Sequence, residues 1–189
     1  MMLKIRQIYA QDYPTGKKVL YTYTSDKYYD VRIERVKMGW HFSLKEENLA
    51  VPFMKKQGEE IFGAYKEDAE VYLAEFKDEE VAVIVIEKME WNNTLLIHDL
   101  YVDFRFKNMG IGRKLMDVAK RRAMELGARA ITLETQTSNY PAIQFYLNNG
   151  FELVGLNTMA YTNEDVRNKE VRIEMSYILE DRTTYEEHL

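Results

Sequence analysis

The chain has 189 residues, 46% of them hydrophobic, with a net charge of -5. That suffices for one domain with a sizeable core, and the acidic balance argues against nucleic acid as main partner while suiting a cationic one. There is no cysteine, which excludes disulfides, thiolate metal sites and a cysteine nucleophile together.

In chain order, Leu3 to Tyr9 alternates apolar and charged residues and predicts a first strand. A loop with Pro14 and Gly16 follows. Val19 to Thr24 and Tyr28 to Val36 predict half-exposed strands, with another short strand at Trp40 to Leu44. Pro52 to Asp68 is polar and helix-prone, with Phe53, Ile61, Phe62 and Tyr65 as its apolar positions. Glu70 to Phe76 alternates as a strand, and Val81 to Met89 is nearly continuously apolar, as a buried central strand is. A turn at Trp91 to Asn93 leads into a strand from Leu95 to Val102.

A helix should follow, because Ile111, Leu115, Val118, Ala119, Ala123 and Leu126 fall on one face, with Gly127 as its left-handed cap. Ala130 to Thr135 predicts a strand, Pro141 to Asn148 a helix ended by Asn149-Gly150, Phe151 onward a strand running toward Tyr161, and Val171 to Leu179 the last strand. Asp181 to Leu189 reads as a charged tail. The order predicts an α/β (α+β) fold, a mixed and mostly antiparallel central sheet flanked by helices on both faces.

His41, His98 and His188 are scattered without metal-ligand spacing, so no metal is expected. The N-terminus has no apolar signal core. The longest apolar run, Val81 to Ile86, is far too short for a membrane. A cytoplasmic protein is the expectation.

One stretch carries chemistry. A strand, a turn with Gly110 and Gly112, and a helix start stand in succession. Helix N-termini offer unpaired backbone N–H groups and partial positive charge, and glycines let an oxyanion approach them. Arg105, Lys107, Arg113 and Lys114 add full charges around the turn. A nucleoside triphosphate is disfavoured, because Gly112 is followed by Arg113-Lys114-Leu115 rather than Lys and Ser or Thr. The third glycine of a dinucleotide fingerprint is missing.

These residues resemble the GNAT superfamily of acyl-CoA-dependent N-acetyltransferases. The signature segment reads Lys107-Asn108-Met109-Gly110-Ile111-Gly112, with Lys107 where the family has Arg or Gln, so the charge is kept and the planar fork lost. A second block, Asn139, Ala142, Phe145-Tyr146 and Asn149-Gly150-Phe151, stands in the right order after it. Scattered matches at Tyr29-Asp30-Val31, Trp40-His41-Phe42, the strand of Asp99, Leu133 to Gln136 and Asn157 to Tyr161 are similar to streptothricin (nourseothricin) acetyltransferases, which acetylate a cationic antibiotic and confer resistance.

The resemblance implies acetyl-CoA as co-substrate, with its pyrophosphate on Lys107 to Gly112 and Arg113. It implies pantetheine beside Leu100, Tyr101 and Val102 and near Asn139, and Tyr146 as proton donor to the departing thiolate. Asp99 and Glu134 are the paired carboxylates for the amine proton, with Glu75 and Glu87 as weaker candidates for binding the acceptor. Strand alternation turns His98 away from Asp99 and gives it a core role. The whole chain, 1–189, is expected to be one domain, with an acceptor-side part over 1–69 and an acyl-CoA-binding core over 70–180. The expected partners are acetyl-CoA and a cationic amine, without nucleic acid or membrane, and a homodimer stays open. Another amine (a polyamine, an aminoglycoside or a protein amine) and a non-catalytic CoA-binding module are the competing readings.

Overall fold

The computed structural model describes residues 3–66 and 68–179. They form two compact units. One is drawn from the described parts of Met1–Tyr21, Gln57–Leu133 and Ser176–Leu189, the other from Thr22–Lys56 and Glu134–Met175. The strands are β1 (Lys4–Ile8), β2 (Lys18–Val36), β3 (Gly39–Glu60), β4 (Glu70–Phe76), β5 (Glu79–Met89), β6 (Thr94–Val102), β7 (Ala130–Gln136), β8 (Glu152–Asn157) and β9 (Arg172–Ile178). The helices are α1 (Ile111–Glu125), α2 (Tyr140–Asn148) and α3 (Asp165–Asn168). The result is a mixed, mostly antiparallel α+β fold with few helices.

In the first unit the strand order is β1-β4-β5-β6-β7. β1 to β6 pair antiparallel, whereas β6 and β7 run parallel from Thr94↔Ala130 to Ile97↔Leu133. A parallel pair needs a crossover, and α1 supplies it. This helix packs on β4, β5 and β6 and buries Ile111, Leu115, Met116, Val118, Ala119 and Ala123. The other face of the sheet is closed by Ile8, Val19, Ile61, Val71, Leu73, Val83 and Val85. Covered on both sides, β5 is buried without a break from Val81 to Ile86.

Arg122 of α1 clamps Glu70 of β4 through Nε–Oε2 at 2.9 Å and Nη2–Oε1 at 2.6 Å, and Tyr72 donates to the same carboxylate. The Arg122 hydrogen bonds hold the Glu70 carboxyl below the usual range.

The second unit contains the end of β7 with β9 and β8, in the order β7-β9-β8. It also holds residues 22–36 and 39–56 of β2 and β3, which pair as a separate two-stranded sheet. This ribbon is tied down by Tyr29 N–H to the Thr137 carbonyl at 3.1 Å, Tyr23 to Ser138 at 3.0 Å, and an ion pair between Lys55 and Glu170.

The structure corrects three expectations. The strands expected at 19–24 and 28–36 are one continuous β2, and the short strand at 40–44 is the start of β3. The expected helix over Pro52 to Asp68 is instead the end of β3, followed by a single 3-10 turn at Ala64–Lys66. Pairing with β2 overrides the helix propensity of Lys55-Lys56-Gln57, and Pro52 is tolerated because each strand of a two-stranded ribbon is an edge. β8 ends at Asn157 rather than continuing to Tyr161, and the unpredicted α3 follows. The expected tail at 181–189 lies outside the described residues. Among the described residues, no helix is long and apolar enough to cross a membrane.

Candidate active site

In the first unit, β6 leads through a short turn into α1. Asp103 caps the turn, its Oδ1 accepting from the Arg105 N–H at 2.9 Å. The Arg105 guanidinium is held by Asp103 at 3.1 Å and by Glu79 at 3.2 Å. Its charge is therefore already matched, unlike the expectation that it adds to the anion site. Asn108 (φ 62°) and Gly110 (φ 77°) are left-handed, and Gly110 is the N-cap of α1. The residues from Lys107 to Gly110 are exposed, as are Arg113 and Lys114, and Gly112 is half-exposed. The first turn of α1 thus presents backbone N–H groups to solvent beside two cationic side chains.

A Cβ on Gly110 would meet nothing within 4 Å. The glycine is required for its backbone angle rather than for space. Gly110→Val should cost on the order of 2 kcal/mol and loosen CoA binding. Thermal melts with and without CoA check this, and an unchanged melt with unchanged CoA shift contradicts it.

The middle of β6 is irregular. Val85 pairs with Asp99 and Ile86 with Ile97, so His98 has no partner on β5 and forms a β-bulge. Upstream, Leu96 is opposite Glu87. Alternation puts Val85 and Glu87 on one face and Leu96 and His98 on one face. The bulge therefore brings His98 and Asp99 to the same side, which corrects the expectation that they point apart.

Around them lies a charged cluster that the sequence did not reveal. Asp99 accepts from the Tyr21 hydroxyl at 3.0 Å and lies 2.6 Å from the Lys66 ammonium. The Lys66 side chain is 1% exposed and that of Asp99 9%. Lys66 also donates to the Glu60 carbonyl at 3.1 Å and reaches Glu59 at 3.4 Å. Burial works against its charge, but the Asp99 carboxylate and the Tyr65 hydroxyl together outweigh burial and raise the lysine above its ordinary value. His98 Nε2 meets Glu87 Oε2 at 2.6 Å, with the Tyr65 ring edge-on at 6.2 Å. Glu75, the other weaker acceptor candidate, is paired with Arg6 at 2.8 Å.

In the second unit, Glu134 is exposed on β7 and 3.1 Å from Arg172. Asn139 caps α2, its side-chain oxygen accepting from the Ala142 N–H at 3.4 Å. Tyr146, on α2, is half-buried between Phe145 and Phe151, with ring centroids 5.6 and 5.9 Å away. The structure thus gathers Asp99, Leu100 to Val102 and the 107–113 turn in one unit, and Glu134, Asn139 and Tyr146 in the other. Among the described residues no group of three or more histidines, aspartates or glutamates could hold a metal ion.

Comparison with known proteins gives the family and the fold. Streptothricin acetyltransferase of Streptomyces lavendulae is 34% identical over 133 residues, covering 65% of this chain and 69% of that protein. The Escherichia coli streptothricin acetyltransferase is 33% identical over 104 residues, 54% of this chain and 59% of that protein, so the chain spans less than two thirds of that relative. The crystal structure of nourseothricin acetyltransferase matches with a TM-score of 0.76 at 27% identity, covering 94% of this chain and 99% of that one. A Bacillus anthracis protein solved in complex with acetyl coenzyme A shares the fold, with a TM-score of 0.73 at 24% identity over 95% of this chain and 99% of that one. The acetyltransferase (GNAT) family matches residues 5–151, and the chain belongs to that family.

Proposed function

We propose that this protein moves the acetyl group of acetyl-CoA to a primary amine of a cationic small molecule of the streptothricin class. As a member of the GNAT family it is an acetyl-CoA-dependent N-acetyltransferase. Its likeness to streptothricin acetyltransferases over 65% of its length is the observation that carries the acceptor class. Residues 1–69 are assigned to the acceptor side and 70–180 to the acyl-CoA.

The pyrophosphate is assigned to the first turn of α1, from Lys107 to Gly112 with Arg113. That turn has the exposed backbone donors and left-handed Gly110 such a group needs. Pantetheine is assigned to Leu100, Tyr101, Val102 and Asn139. Tyr146 is assigned the proton that the departing thiolate takes up, a task suited to a phenol of ordinary pKa near 10. Asp99 and Glu134 each already have a cationic partner, Lys66 and Arg172. Glu134, exposed on β7, is the carboxylate proposed to meet the acceptor's ammonium, whereas Asp99 is buried against Lys66.

The test is thiol release from acetyl-CoA with purified protein and streptothricin, beside spermidine and an aminoglycoside. Release with streptothricin alone is expected. Release with another amine instead removes the acceptor and keeps the chemistry. Silence with all three, with CoA still bound, overturns catalysis in favour of a binding module.

A further inference from the structure

We propose that His98, oriented by Glu87, is the group that takes the proton from the acceptor amine. The inference rests on the N-acetyltransferase reading. It starts from the bulge, which turns His98 onto the face of β6 that carries Asp99 and Tyr101. Tyr101 packs there against the cluster of Ile8, Val71 and Val83, and its ring meets that of Tyr21 at 5.5 Å. This is the face away from α1, where the 59–66 segment brings Tyr65 against His98 and Lys66 against Asp99.

An alkylammonium has an ordinary pKa near 10.4, so at neutral pH it must lose a proton before its nitrogen can attack. The acceptor of that proton needs a lone pair that no other cation occupies. Asp99 is the weaker candidate, because its charge is matched by Lys66 at 2.6 Å and its other oxygen accepts from the Tyr21 hydroxyl. The His98–Glu87 pair meets the condition. Among the described residues, Glu87 has no cationic partner besides this imidazole, and His98 Nδ1 has no hydrogen-bond partner. The pair is half-buried, with side chains 15% and 20% exposed.

With Nε2 protonated toward Glu87, Nδ1 presents its lone pair to the acceptor. When Nδ1 takes a proton, the carboxylate at 2.6 Å stabilises the imidazolium that forms. Glu87 is thus a positioning residue. The charged and titratable groups facing His98 are Glu87 from β5, Asp99 from β6, and Tyr65 with Lys66 and Glu59 from the segment before β4.

The step balances. The ammonium gives one proton to Nδ1. The neutral nitrogen attacks the thioester carbonyl carbon, the C–N bond forms and the C–S bond breaks. The nitrogen sheds its second proton as the amide forms. One proton leaves with the sulfur as thiol and one passes to solvent, which returns the imidazole to its neutral form.

Wild type, His98→Gln, Glu87→Gln and Glu87→Asp are compared in thiol release with streptothricin from pH 5.5 to 9, with acetyl-CoA binding measured by calorimetry as the check of folding. We expect His98→Gln to lower kcat about 100-fold, to keep acetyl-CoA affinity and to lose the acid limb of the pH profile. Glu87→Gln should lower kcat about tenfold with KM unchanged, because the imidazole loses the carboxylate that orients it, and Glu87→Asp should restore most of the rate. His98→Gln with near-normal kcat and an unchanged acid limb overturns the proposal and leaves the acetyltransferase reading standing. Where wild type itself does not turn over streptothricin, the acceptor reading falls, and the proposal is decided by the imidazole proton signals of the CoA-bound protein, with His98 identified by its loss in His98→Gln. A His98 signal moved by spermidine supports it, and one unmoved by both amines overturns it.

Discussion

Lys66→Met is expected to destabilise the protein by about 3 kcal/mol, a fall in Tm of about 6–12 °C for a chain of this size. The Lys66 side chain is 1% exposed and its ammonium lies 2.6 Å from Asp99, itself 9% exposed. Removing the lysine leaves a buried carboxylate without its cation, still accepting from the Tyr21 hydroxyl. Removing both charges should cost far less, so Lys66→Met with Asp99→Leu should recover most of the lost melting temperature. A single variant that melts with the wild type contradicts the argument.

The pH dependence has a definite sign. Lys66 is raised above its ordinary value in the folded state, burial being outweighed by Asp99 and Tyr65 together. A raised cation contributes stability that is fully present below the unfolded value, near 10.4, and is lost as pH rises through the folded one. The penalty of Lys66→Met should therefore be constant from pH 6 to 9 and shrink only in strong alkali. Chemical denaturation at three pH values measures this.

Tyr146→Phe is expected to lower kcat about 300-fold and leave acetyl-CoA binding unchanged. The ring is wedged between Phe145 and Phe151 at 5.6 and 5.9 Å, so phenylalanine can keep its packing and only the hydroxyl is lost. A thiolate departing without a nearby proton should then become the slow step. The discriminating observation is the pH profile. Loss of an acid should remove the alkaline limb, whereas a merely structural role should lower kcat and leave both limbs in place. Steady-state kinetics with calorimetry of CoA separates the two.

The sheet of the first unit was legible because its cues are local. Val81 to Ile86 announces a strand buried on both sides, and the apolar stripe of α1 falls where Ile111, Leu115, Val118, Ala119 and Ala123 are in fact buried. Gly110 was legible as part of a glycine turn before a helix, and its left-handed angle is what the structure adds. Most of the ribbon was legible as strands at 19–24, 28–36 and 40–44, but its end was not, because the helix propensity of 55–57 competes with a pairing partner some thirty residues away. Lys66 was hidden for a related reason. A lysine in a polar run gives no sign that Asp99 lies over it. The bulge, by contrast, did leave a trace. Leu95, Ile97, Leu100 and Val102 are spaced by two, three and two, and the odd step marks where alternation breaks. Reading β6 as regular concealed His98. The masking of Asp99 by Lys66, and of Glu134 by Arg172, could emerge only from three-dimensional placement.

The bulge also has a meaning for the gene. Ile97 pairs with Ile86 and Asp99 with Val85, the partners a regular ladder would give if His98 were absent. A single codon at this position can therefore be gained or lost without moving a core residue on either side. The strand carries its imidazole as one extra residue, and the ladder on β5 keeps its pairs on either side of it.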